Sequence, residues 1–221
     1  MIQRLSKVKF AFYTIGILIL TFGIMLTIQS HLGVSPFDAL LVGLSKKIGL
    51  TVGSWEIIIA IILVFCNALL KRQRPEFLGL VTAFITGLGI DLWLFLLSNV
   101  ITPEQWVSRL ICFAIGLVVL GLGTAIYLQT KFAPSPIDHL TLIIKDLTKS
   151  NMFVARTIIY FLFLLLAFLF NGPIGIGTVL SVCFGGLILN FFMPMTKKAL
   201  DFVLSNSINA EKYVSSKSRP L

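Results

Sequence analysis

Charge is scarce in this sequence, and so are cysteine and histidine. Charged residues fill 12% of the 221 positions and apolar residues 57%, where a soluble domain carries about 25% charged residues. That balance excludes an ordinary soluble core and calls for several helices that face lipid. The three cysteines, Cys66, Cys112 and Cys183, all lie inside apolar runs. There they behave as small hydrophobes, so no disulfide is expected. With only two histidines, His31 and His139, no metal site is expected. The chain has no Gly-rich phosphate loop, no His-Glu-x-x-His, no Gly-x-Ser-x-Gly and no Cys-x-x-Cys. No cofactor is therefore expected, and the chain is read as not being an enzyme. The net charge of +9 sits in short connections and tails, where it sets membrane topology; it does not point to nucleic acid.

What is present is a set of apolar runs. Runs of spanning length, about 20 residues, cover 10–30, 54–70, 77–97, 106–128, 153–170 and 174–194. The first follows Arg4, Lys7 and Lys9 and has no small-x-small cleavage site, so it reads as a retained anchor. Two shorter segments, 36–47 and 136–147, fall well short of a span, and the second carries Asp138, His139, Lys145 and Asp146. They read as half-length helices. The expected fold class is an all-α polytopic membrane protein with six full spans and two short helices.

The motif Ser35-Pro36-Phe37-Asp38 recurs as Ser135-Pro136-Ile137-Asp138, one hundred residues on. Gly16 and Gly116, Gly23 and Gly123, Gln29 and Gln129, and Leu40 and Leu140 match at the same offset. Two fused repeats follow, 10–99 and 104–195, within a single membrane domain; 1–9 form a cytoplasmic N-terminus and 196–221 a cytoplasmic tail. Three spans per half invert the second half relative to the first, a plan common among transporters. With six spans, Lys71, Arg72, Arg74, Lys131, Lys145, Lys149, Lys197 and Lys198 are inside, and Lys46, Lys47 and Arg109 are outside. An eight-span arrangement brings Lys46, Lys47 and Arg109 inside but strands Lys71, Arg72, Arg74 and Lys131. Helix length favours six; both arrangements put the two termini in the cytoplasm. The last residues, 215–220, read as disordered.

Ser-Pro-x-Asp is also a helix start. Serine caps a free backbone N–H, proline fits the first helical position, and aspartate complements the positive helix end. Two such ends brought together would attract an anion through their N–H groups. Their carboxylates would favour a cation or carry protons. Ser35, Asp38, Ser135 and Asp138 are therefore the candidate substrate-binding residues. Gln29 and Gln129 join them through the repeat, His139 by adjacency to Asp138, and Asp91 as an intramembrane carboxylate. Glu56 and Arg156 share the offset with opposite charge; near span ends, both are expected to snorkel to the interface.

These residues resemble a known family. Gly33 to Asp38 after a first span, then Leu40 and Gly43, then Thr51-x-Gly53, and late in the chain Pro173-x-Gly175-x-Gly177-Thr178, look like the YczE/YitT family of bacterial integral membrane proteins, most closely its YczE-like branch. The second half departs from the first, with Ala133-Pro134 for Gly33-Val34. The resemblance implies a bacterial plasma-membrane protein and supplies no substrate. The functional expectation is a small secondary transporter or exporter of a small polar solute, with proton coupling open. The alternative is a non-transporting accessory, scaffold or sensor protein. A homodimer or a membrane partner protein is compatible with either.

Overall fold

The structure, a computed structural model, describes residues 2–217. It comprises eight helices and no strand among these residues: α1 (Ile2–Gln29), α2 (Pro36–Ile48), α3 (Val52–Lys71), α4 (Leu78–Leu97), α5 (Trp106–Gln129), α6 (Pro136–Thr148), α7 (Met152–Leu169) and α8 (Ile176–Lys217). Five of them, α1, α3, α4, α5 and α8, are long and apolar enough to cross a bilayer. The chain is thus a polytopic α-helical protein with several candidate spans.

The helices α2 and α6, of 13 residues each, are only about 20 Å long at 1.5 Å per residue. Neither crosses a hydrocarbon core of about 30 Å. The sixth expected span, α7, has an apolar stretch of 16 residues, Val154–Leu169. It is short because Asn151 caps its start, accepting from the Val154 N–H, and the turn at Asn171 and Gly172 ends it. The last helix is longer than the apolar run implied. It continues through Pro194 as far as Lys217, so residues 196–217 are helical. Positions 215–217, expected to be disordered, belong to that helix; 218–220 lie outside the described residues.

The helices α1 and α5 cross antiparallel in backbone contact. A Cβ at Gly123 would collide with the Leu20 backbone, and one at Gly23 with the Leu120 backbone; Gly16 abuts Tyr127, and Gly116 abuts Thr27. Adding or subtracting 100 converts each of these contacts into another. Only hydrogen at Cα lets two helix backbones come this close. Around this crossing the halves interleave. The short helix α2 packs on α7, and α6 packs on α3. Gly33, at φ +101°, lies against Gly175 at the start of α8, where Gly177 donates to the Leu32 carbonyl. In the other half, Thr82 of α4 donates to the Ala133 carbonyl. Each half's last helix therefore holds the other half's motif loop.

These contacts also sort the connections onto two ends of the bundle. Lys71 meets His139, and Gly79 lies against Pro134 and Pro136. The 71–78 connection and the loop before α6 thus share one end. At the opposite end, Lys47 donates to the Leu169 carbonyl, and the 30–35 loop meets 173–177. The basic residues Lys71, Arg72, Arg74 and Lys131 gather at the first end and Lys46 and Lys47 at the second, a partition common to the six-span and eight-span arrangements.

Two outcomes test this packing in thermal-unfolding and gel-filtration measurements on detergent-purified protein. Gly123→Val should destabilise by about 3 kcal/mol through overpacking. Gly185→Ala, where a Cβ meets open space, should be neutral. Asp91 accepts from the Thr51 hydroxyl and the Gly53 N–H (2.6 and 2.8 Å). It fastens α4 to the start of α3, so Asp91→Ala should cost about 1–2 kcal/mol.

Candidate functional site

Each Ser-Pro-x-Asp motif folds as its residue types dictate. Ser35 Oγ accepts from the Asp38 N–H (3.2 Å) and donates to Asp38 Oδ2 (2.6 Å). Ser135 does the same with Asp138, at 3.3 and 2.9 Å. In both, Pro occupies the first helical turn. These are reciprocal caps with an acidic partner, and each carboxylate lies at the positive end of its own helix.

The two caps open into one cavity of about 170 Å³. Leu20 of α1 and Leu120 of α5, where those helices cross, form part of its wall. Ser35 and Ser135, Asp38 and Asp138, and Glu56 and Arg156, pairs one hundred residues apart, also line it. The symmetry is broken in two places. The Tyr127 hydroxyl donates to Asp138 Oδ2, whereas its counterpart Thr27 turns its hydroxyl back to the Ile24 carbonyl (2.8 Å). Asp138 is thus held by two hydroxyls and Asp38 by one. The second break is the pair Glu56 and Arg156, acidic in one half and basic in the other.

Neither Glu56 nor Arg156 behaves as a snorkelling residue. Glu56 is 7% exposed and faces the cavity, and among the described residues it has no hydrogen-bond or ion-pair partner. Asp38 and Asp138 lie within electrostatic range of it. Arg156 places its guanidinium 5.9 Å from the Tyr160 ring centre, a cation–π contact, and Tyr160 lines the cavity as well. Both residues sit about one turn inside their helices, on the face turned to the other half, and that face is protein-lined.

Of the eight candidate binding residues, the structure brings together Ser35, Asp38, Ser135 and Asp138. The other four lie outside this cavity. Gln29 and Gln129 are not part of the cavity wall, which includes α1 as far as Ile24 and α5 as far as Tyr127. Gln29 is buried at the end of α1, and Gln129 donates to the Met193 carbonyl (3.0 Å), joining α5 to α8. His139 follows Asp138 and so points about 100° away around the helix. It sits beside Lys71 Nζ (3.2 Å) and Glu76 (3.7 Å) in a separate surface cleft. Asp91 is consumed by the cap on α3 described above.

Sequence reasoning missed Thr82, Tyr127 and Tyr160 as wall residues. The offset could have flagged Tyr127, which stands opposite Thr27 in the repeat; nothing in the sequence marks Thr82 or Tyr160. Among the described residues no three His, Cys, Asp or Glu side chains converge on a point that could hold a metal ion. The wall offers hydrogen-bond donors and acceptors, three carboxylates, one guanidinium and an apolar floor.

Comparison with known proteins adds kinship. The chain is 66% identical over 190 residues to the uncharacterized protein YyaS of Bacillus subtilis (strain 168), covering 86% of this chain and 94% of that protein. It is 34% identical over 205 residues to the uncharacterized membrane protein YczE of the same organism, covering 92% and 94%. An uncharacterized protein of Haemophilus influenzae is 30% identical over 194 residues, covering 86% and 84%. No solved structure matches. These relatives support the YczE-like resemblance, and residues 7–194 match a family of unknown function, DUF6198, so the chain belongs to that family.

Proposed function

We propose that this protein is a small secondary transporter or exporter of a small polar solute, built as an inverted-topology repeat and resident in the bacterial plasma membrane. The observation that supports it most is the cavity at the α1–α5 crossing, lined by matching residues of both halves. In inverted repeats the solute site lies at the repeat interface near mid-membrane, and one unit rocks against the other to expose it to each side in turn. The antiparallel α1–α5 pair supplies the pseudo-twofold axis in the membrane plane. The bundle end that carries Lys71, Arg72, Arg74 and Lys131 is the cytoplasmic one under the positive-inside rule, which places both termini there. The reading involves no chemical step. Buried carboxylates also give protons a place to bind, so a proton gradient is the natural driving force.

A second reading is a non-transporting accessory, scaffold or sensor protein. One feature favours it: α8 continues past Pro194 with Phe202 exposed, a surface another membrane protein could cover.

Flux separates the two. Proteoliposomes holding the purified protein should take up at least one labelled solute from a panel of amino acids, polyamines, nucleosides and carboxylates, and an imposed pH gradient should change the rate. The double variant Asp38→Asn/Asp138→Asn, checked for insertion and monodispersity, should lose at least tenfold of that flux. Undiminished flux in the double variant removes the two carboxylates from the mechanism. A flux-inactive wild type that leaves the membrane in a stable complex with another protein favours the accessory reading.

A further inference from the structure

The charges of the cavity are not equivalent, and the difference identifies what it holds. Asp38 and Asp138 are already engaged. Each accepts from its own serine, lies at a helix N-terminus, and in the case of Asp138 accepts from Tyr127 as well. Glu56 has none of these supports. It is more than nine-tenths buried and faces the cavity, with Asp38 and Asp138 within electrostatic range. Its carboxyl oxygens open onto the cavity space rather than being sealed in protein, and a cation that enters there would partner them. Arg156, at the same repeat position in the other half, is likewise without a carboxylate partner among the described residues; its contact is the Tyr160 ring. The two residues share a cavity and do not form an ion pair with each other.

Each single-charge ligand meets an objection. A plain anion would be placed among Asp38, Asp138 and Glu56. A plain cation would leave Arg156 unmatched. A molecule with both charges answers both residues. We infer that the cavity binds a small zwitterion, its ammonium group on Glu56 and its carboxylate on Arg156. The inference rests on the solute-binding role proposed above and narrows it to a substrate class. Size agrees: a cavity of ~150 Å³ holds a benzene ring, so 170 Å³ admits on the order of six to ten heavy atoms. The Ser35 and Ser135 hydroxyls, held in their caps, leave the two charged residues as the groups with unmet electrostatic demand.

The test uses ligands matched in size that differ by one charge. Wild-type protein in detergent is titrated calorimetrically with glycine, β-alanine and L-alanine. The corresponding amides (cations) and hydroxy acids (anions) are titrated in parallel. At least one zwitterion should bind ten times more tightly than both its amide and its hydroxy acid. Arg156→Gln should then abolish the preference over the amide, and Glu56→Gln the preference over the hydroxy acid. A merely structural role would weaken all three ligands together. If either variant fails to fold, the wild-type comparison decides alone. Amides that bind as tightly as the zwitterions, or hydroxy acids that do, overturn the zwitterion and leave the solute site standing. Silence across the whole panel overturns the zwitterion too, and the flux measurement then judges the transporter reading by itself.

Discussion

The backbone contact between α1 and α5 is the constraint on which the rest of the molecule hangs. Gly16, Gly23, Gly116 and Gly123 let two long helices touch without intervening side chains. In a bilayer, where lipid tails are as apolar as leucine, close van der Waals contact of this kind is a main source of helix association. Once the pair is fixed, the motif loops after α1 and α5 have fixed starting points. The short helices then enter the bundle from the two ends, and their caps turn toward a shared interior.

That interior is polar because the helix starts need it to be. A helix that begins inside a membrane protein exposes free N–H groups, and each left unmatched costs several kcal/mol in a lipid-like surrounding. Serine and aspartate meet this demand within the motif itself. The same residues thereby give the cavity its hydroxyls and carboxylates, so structural necessity and binding capacity coincide in Ser35, Asp38, Ser135 and Asp138. Glu56 and Arg156 are different. No cap or helix end requires them, and their presence on the wall has no packing explanation.

Much of this was legible in the chain. The apolar runs foretold the helices, the shortness of 36–47 and 136–147 foretold two helices that do not span, and the repeated motif marked four residues that meet in one cavity. The misplacements have physical causes. Gln29 and Gln129 repeat faithfully, but repetition says nothing of what a side chain meets: Gln29 is buried at the end of α1 and Gln129 turns to Met193 of α8. Asp91 was marked by its charge within an apolar run, yet its partners Thr51 and Gly53 lie some 40 residues away in sequence. Glu56 and Arg156 sit near helix ends, where the sequence alone does not distinguish a lipid-facing side from one covered by the other half. The length of α8 was hidden because polarity after Pro194 ends the apolar signal without ending the helix.

The interleaving of the halves has a consequence for how the chain is made. The ribosome delivers α2 more than one hundred residues before α7, the helix it packs on. Until α7 arrives, the part of α2 that packs on it stays uncovered, although α1, α3 and α4 already meet its other side at Leu41 and Val42, and the Ser35 cap faces a cavity with one wall missing. The long helices can insert one by one, but the short helices complete their packing only after the second half is in place. Biogenesis of this protein therefore ends with a docking step inside the membrane. During that interval an insertase or chaperone that shelters short polar-tipped helices would be of most use to it.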